Sequence, residues 1–272
     1  MNTGGETVRS EAVSLLRSPG THEPLRLVSV TASNGIAQEE LISERSGQRF
    51  PIHEGIPLLL DESSLSGSNQ RYQGAYNRAA WLYDPAIRLF GRLAGGGEGR
   101  FRAQYLRELE VQDGDRVLEV SIGTGANVHY LPEVASYLGV DISWGMLQQC
   151  QRNLTKWRRQ AELILGNAED LPLCDDAFDA VLHVGGINAF DNRAKAIREM
   201  IRVAKPGTKI VIVDESAKLM ERFAWVPGAR RILEEYRDVL AAPIGLVPEG
   251  MKDIQAKDIV RGNMYCLTFR KP

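Results

Sequence analysis

The sequence predicts an α/β protein: a seven-stranded, mostly parallel sheet with an antiparallel last strand, preceded by a small β-rich module. Three observations carry this. From Arg116 onward, short apolar runs alternate with stretches of helical period, the pattern of strands joined by helical crossovers. The last run, "MYCLTFRKP", follows the alternating "MKDIQAKDIV" after only "RGN", too short for a crossover, so the two close as a hairpin. Before residue 65 the pieces are short and β-like.

In chain order, "PLRLVSV", "RSGQRFPI" and "GIPLLL" form the N-terminal module, and the Ser/Gly-rich "DESSLSGSNQ" is a linker. From Arg71 to about Leu109, Tyr76, Ala80, Tyr83 and Ile87 recur at helical spacing, and Pro85 divides the run into two helices. "RVLEV" is a buried strand, and "ANVHYLPEV" begins a helix. "YLGVD" is the next strand, and Ser143 caps the helix "SWGMLQQCQRNLTKW". "AELILG" and "FDAVLHV" are strands, "NRAKAIREMIRVA" is a helix, and "TKIVIVDE" is the strand before the closing hairpin.

The 272 residues carry 43% hydrophobic and 25% charged side chains, as a globular chain with ample core does. A net charge of −2 gives no general pull toward nucleic acid or anionic lipid. No apolar run approaches the roughly 18 residues of a membrane span, although peripheral contact is left open. The start lacks the basic-then-apolar order of a signal peptide. Cys150, Cys174 and Cys266 are scattered and odd in number, so reduced thiols and a cytoplasmic location are expected.

"VLEVSIGTGANV" carries the chemistry. An apolar strand ends at Glu119 and Val120, and Gly123 and Gly125 follow, where backbone can pass close to a ligand. Asp141, about 20 residues on, ends the next strand, where a carboxylate can hold a ribose diol. A dinucleotide and S-adenosylmethionine both suit these features. The spacing favours the second: counting from Gly123, the third glycine of G-x-G-x-x-G would fall on Val128. Glu119 beside the turn suits a ligand with an ammonium and a sulfonium better than a pyrophosphate, and the antiparallel last strand is unusual for a dinucleotide fold.

With those residues in view, residues 72–272 resemble a class I S-adenosylmethionine-dependent methyltransferase, Rossmann-like in fold, of the ubiquinone/menaquinone C-methyltransferase-like (type 11) group. "VLEVSIGTGAN", "GVDISWGML", "GNAEDLPLCDDAFDAV" and "REMIRVAKPGTKIVIVDES" match its motifs in order. The resemblance implies S-adenosylmethionine contacts at Tyr83, Glu119, Ser121, Gly123, Thr124, Gly125, Asp141, Ile142, Met146, Asn167 and Ala168. Two departures stand out. Ser121 replaces a glycine, tolerable if its backbone angles stay on the strand side of the map. Asn167 replaces an aspartate, and its carbonyl can still accept from an adenine amine.

On the acceptor side, His183 follows the fourth strand of the main body and is the first candidate for touching substrate, as a catalytic or contact residue; a packed, hydrogen-bonded histidine is the alternative. Asn188 and Phe190 in "GGINAFDN" border the acceptor by resemblance; Tyr76, about two helical turns before Tyr83 on nearly the same face, joins them, unless both tyrosines pack as a core stripe. His129 reads as packing or surface, and Asp214 and Glu215 as strand-end caps that could reach the pocket. Met220, Phe223, Trp225 and Val226, between the fifth strand and the hairpin, could cap a flat or lipid-like acceptor.

The expected domains are 1–65, a module resembling the zinc-ribbon-like domain of tRNA-methyltransferase activators; 66–110, a linker and helical lid; and 111–272, the cofactor domain. Ser18 and Thr21 occupy the ribbon's cysteine positions, and His22 and His53 alone cannot complete a tetrahedral zinc site, so no metal is expected. The module is acidic and has no lysine, which argues against gripping a phosphate backbone. The expected activity is methyl transfer to a small, apolar or aromatic acceptor at carbon, oxygen or sulfur; an RNA methyltransferase, or a non-catalytic relative that binds S-adenosylmethionine or S-adenosylhomocysteine, is the alternative. The oligomeric state is left open.

Overall fold

The computed structural model describes residues 10–31, 37–61, 97–221 and 239–272. An N-terminal helix α1 (Ser10–Leu15) leads into an antiparallel meander, β1 (Leu25–Thr31), β2 (Ala37–Ser43), β3 (Arg49–His53) and β4 (Ile56–Pro57), ordered β1-β2-β3-β4. The main body contains α2 (Glu98–Leu106), β5 (Arg116–Val120), β6 (Ser136–Asp141), α3 (Trp144–Trp157), β7 (Glu162–Leu165), β8 (Phe178–Val184), α4 (Arg193–Val203), β9 (Ala204–Glu215), α5 (Ala217–Glu221), β10 (Lys252–Ile259) and β11 (Met264–Arg270).

The seven strands lie in the order β10-β11-β9-β8-β5-β6-β7. Strands β7, β6, β5, β8 and β9 run parallel, and β11 is inserted antiparallel between β9 and β10. The expected sheet and closing hairpin are both present. Strand order reverses between β5 and β8, the place where an open parallel sheet leaves a crevice past its carboxyl ends.

Two apolar layers cover the sheet. On one face Leu118, Val120, Val181, Ile210 and Ile212 pack with Ile197 and Met200 of α4 and with Leu16, Leu41, Phe50 and Leu59 of the N-terminal region. On the other, Val117, Leu182, Val211 and Val213 pack with Phe101 and Tyr105 of α2 and Leu147 and Cys150 of α3. Strands buried on both sides have no polar face, which is why "RVLEV" and "IVIV" read as continuous apolar runs. Among the described residues no helix is long and apolar enough to cross a membrane.

The helix expected from "ANVHYLPEV" is reduced to one 3-10 turn, Val128–Tyr130. Pro132 lacks the N–H a continuing helix needs, and Asn127 is drawn into the core by bonds to Glu119, Arg102 and Tyr105. His129 therefore sits in that turn, its ring 5.0 Å from Trp157 and 4.9 Å from Tyr130, a packing role. β2 was not among the expected strands. The cysteines are free, with Cys150 and Cys266 buried.

Candidate functional site

At the carboxyl ends of β5, β6, β7 and β8 lies a cleft of about 730 Å³ of empty space. Ser121 and Gly123 form one wall, Val140, Asp141, Ile142 and Met146 a second, and Gly166, Asn167 and Ala168 a third. The loop after β8 closes it with Val184, Gly185, Gly186, Ala189 and Phe190. Eight residues expected at the cofactor or acceptor thus share one cavity: Ser121, Gly123, Asp141, Ile142, Met146, Asn167, Ala168 and Phe190.

The turn after β5 is built from left-handed backbone. Gly123 has φ +56, and a Cβ built there would meet nothing within 4 Å, so this residue presents bare backbone to open space. Gly125, at φ +74, has a different reason: a Cβ there would stand 2.5 Å from Cys150 Sγ. It permits close packing on α3 rather than close approach to a ligand. Thr124 is buried, and its carbonyl accepts from Asn153 Nδ2 at 3.0 Å. Neither Thr124 nor Gly125 lines the cleft.

Ser121 corrects an expectation. Its φ is +59, not on the strand side of the map, because the chain must leave β5 and re-enter beside β6, where Ile122 N donates to Val140 O at 3.1 Å. A side chain held in the left-handed region costs roughly 1–2 kcal/mol. That strain sits directly on the cleft wall.

Asp141 is nearly buried at the end of β6. Its Oδ2 accepts from Gly123 N and its Oδ1 from Ser143 N, each at 2.8 Å. Burial pushes its pKa up to about 6, and backbone donors from Ser143, Gly123 and Ile142 oppose the rise. An ionised carboxylate offers about four acceptor positions, so one remains for a hydroxyl in the cleft. Asn167 is committed in part: its Oδ1 accepts from Glu169 N at 2.9 Å, closing a local turn that keeps one lone pair.

Glu119 does not line the cleft. It points into the opposite layer, where Oε1 accepts from Asn127 Nδ2 at 2.6 Å and Oε2 is buried without a partner. Asn127 Oδ1 accepts in turn from Arg102 at 2.6 Å and Tyr105 at 2.7 Å, and Arg102 pairs with Glu98 at 2.9 Å. Desolvation raises the Glu119 pKa to about 7, against the opposing pull of Asn127 and Arg102.

His183 is fully buried behind Phe190, whose ring lies 5.2 Å away edge-on. Its Nδ1 is 3.0 Å from Val120 O, which fixes that nitrogen as the protonated one and leaves Nε2 as a buried lone pair without a partner. Burial lowers its pKa to about 4, so the ring is neutral at physiological pH.

Asn188 also lies outside the cleft: its N donates to Asp214 Oδ2 at 2.9 Å and its Oδ1 accepts from Tyr265 at 3.1 Å. Asp214 is a buried anchor for the loop after β8, accepting from the backbone of Asn188, Glu215, Gly186 and Ile187. Tyr76, Tyr83, Phe223, Trp225 and Val226, and the side chain of Met220, lie outside the described residues. The reading from sequence missed Gly185 and Gly186, at φ +77 and +104, although the Gly-Gly pair in "HVGGIN" signalled a turn beside the strand end.

The walls suit a nucleoside: open backbone at Gly123 and a carboxylate with acceptor capacity at Asp141. Residues 118–212 match the methyltransferase domain family. A demethylmenaquinone methyltransferase of Clavibacter sepedonicus is 34% identical over 180 residues, 66% of this chain and 69% of the relative. The chain belongs to the S-adenosylmethionine-dependent methyltransferase family. A demethylmenaquinone methyltransferase of Corynebacterium urealyticum is 35% identical over 53% of this chain and 58% of its own. Across several such methyltransferases the chain spans only 51 to 58% of their length. A solved methyltransferase structure from Thermotoga maritima aligns with a TM-score of 0.52 at 17% identity, over 74% of this chain and 99% of that one, and so shares the fold.

Proposed function

We propose that this methyltransferase-family chain transfers a methyl group from S-adenosylmethionine to a small apolar or aromatic acceptor. The observation that supports it best is the cleft itself. Gly123 and Asp141 stand on neighbouring strand ends, joined by a 2.8 Å bond, so bare backbone and a carboxylate with an acceptor position for a ribose hydroxyl face one cavity.

In this reading Asp141 and Ile142 hold the ribose, Met146, Asn167 and Ala168 line the adenine, and Ser121 and Gly123 bound the methionyl end. Glu119, which faces the opposite layer, supports the turn through Asn127 rather than meeting the cofactor. The bound cofactor supplies an activated methyl; the chain's task is to align an acceptor and exclude water. Phe190 forms an apolar wall for that acceptor, and His183 backs it. With its pKa near 4, His183 is a poor store for a proton, and its bare Nε2 serves as a hydrogen-bond acceptor once Phe190 turns aside. Asn188 supports the acceptor loop through Asp214 and Tyr265. The division into module 1–65, linker and lid 66–110 and cofactor domain 111–272 is part of the same proposal.

The relatives named as demethylmenaquinone methyltransferases make a flat quinol the first acceptor to try. Calorimetric titration with S-adenosylmethionine and S-adenosylhomocysteine, on wild type and Asp141→Ala, tests the cofactor site. Micromolar binding that the variant loses at least tenfold is expected. Release of S-adenosylhomocysteine that depends on added quinol then tests transfer. If neither ligand binds the wild type, the reading is wrong.

A further inference from the structure

Parallel strands need a crossover, and a helix usually provides it and covers the sheet. The connection from β7 to β8, residues 166–177, is fully described and contains no helix. The face it leaves bare, formed by Leu138, Val140 and Ile164, is nevertheless buried. Leu16, Leu41 and Leu59 of the N-terminal region fill it together with the connection's own Leu171 and Leu173, each almost wholly removed from solvent.

The N-terminal region also holds that connection at both ends. Leu59 N donates to Leu165 O at 2.9 Å, and Leu58 bridges Leu165 in parallel, so the chain after β4 extends the main sheet past β7. At the far end Cys174 N donates to Leu15 O and Arg17 N to Pro172 O, each at 2.9 Å. Between them, the carboxylate of Asp170 accepts from Gly20 N at 2.7 Å and meets His22 Nε2 at 3.0 Å. Asp170 N closes the Asn167 turn at 3.1 Å, and Leu171 N is held by Glu199. Beside the ribose end, His53 lies 5.2 Å from the Trp144 ring and Gln151 reaches Glu54 O at 2.7 Å.

His22, Asp170 and Glu199 could be taken for a metal site, since their ligand atoms lie within 4.8 Å of one another. Arg202 excludes that reading: its guanidinium is 2.7 Å from Glu199 Oε2, the oxygen a cation would need, and Leu171 N already donates to the same atom. The cluster is a latch between the N-terminal region and the cofactor domain.

We propose that the N-terminal region takes the place of the absent crossover helix and sets the position of Asn167 and Ala168, making it a built-in determinant of cofactor affinity rather than an arm that recruits substrate. His22 and Asp170 are its positioning residues. This rests on the reading of the cleft as an S-adenosylmethionine site.

The test is titration of the full chain with S-adenosylhomocysteine and with adenosine, on wild type, His22→Ala, His22→Gln and Asp170→Ala, with a thermal melt of each. His22→Ala and Asp170→Ala are expected to weaken both ligands by about tenfold, because the damage lies on the adenosine side, and to keep a cooperative melt. His22→Gln, which retains a donor toward Asp170, is expected to restore most of the affinity; a change in stability alone would not give that rescue. Unchanged affinity in folded His22→Ala overturns the proposal, as does failure of His22→Gln to rescue. Should Asp170→Ala not fold, the two His22 variants, changed at a partly exposed side chain, decide the matter. If wild type itself binds neither ligand, the assignment of the cleft has failed instead.

Discussion

Glu119 offers a prediction whose size follows from its surroundings. The carboxyl is buried, one oxygen has no partner, and its pKa rises from 4.5 to about 7. Between those two pH values the folded state binds a proton that the unfolded state does not, so stability falls as pH rises. That rise corresponds to about 3 kcal/mol, present in full below pH 4.5 and lost by the time pH has passed 7. Replacing Glu119 by Gln removes the titration while keeping an oxygen for Asn127. Glu119→Gln is therefore expected to match wild type within about 1 kcal/mol at pH 5 and to exceed it by about 3 kcal/mol at pH 8.5.

Urea unfolding of both proteins at a series of pH values measures this directly, because titrations common to both cancel in the difference. A difference that stays constant from pH 5 to 8.5 would refute the argument.

Three further outcomes are expected. Ser121→Gly should raise stability by about 0.5–1 kcal/mol, the left-handed strain relieved less the extra freedom of glycine in the unfolded chain; a lower melting temperature would show that the serine hydroxyl stabilises the turn. Gly125→Ala should lose roughly 2–3 kcal/mol, since its Cβ meets Cys150 Sγ at 2.5 Å and φ is +74. Adding Cys150→Ala should recover the steric part alone, and a strictly additive double variant would contradict the contact. Asn127→Ala should cost about 3 kcal/mol or more by chemical denaturation, because it strips partners from Arg102, Tyr105 and Glu119 together; a loss under 1 kcal/mol would mean the network is not stabilising.

Much of the main sheet was legible because buried parallel strands announce themselves as apolar runs with helices between them, and the capped helices α3 and α4 carry Ser143 and Asn192 at their starts. β2 was hidden because "AQEELIS" places Glu39 and Glu40 before its fully buried Leu41, and pairing with β1 overrides its weak strand propensity. Glycine spacing and the acid at 141 pointed to strand ends that share one cavity, yet spacing could not separate Gly123, open to that cavity, from Gly125, set against Cys150. Nor could it show that Glu119 faces the opposite layer from His183. Neighbours along a sheet share a face only when paired, and Glu119 pairs with Leu182 while Val120 pairs with His183.

The latch between His22 and Asp170 joins residues 148 positions apart, a distance no local pattern spans. One clue to it was in plain sight, however. "GNAEDLPLCDDA" and "SIGTGANVHYLPEV" are both crossovers in a parallel sheet, and both contain a proline, which stops the helix that "ANVHYLPEV" was expected to begin. A sheet face left bare at those places has to be covered from elsewhere in the chain, because leaving it in water forfeits roughly 1.5–3 kcal/mol for each large apolar side chain. α2 covers the face beside residues 121–134, and the N-terminal region the face beside residues 166–177. Both come from segments that precede the sheet. The turns that begin these two connections carry cleft residues, so each is held in place by a segment outside its own motif, one about 20 residues away and the other about 150.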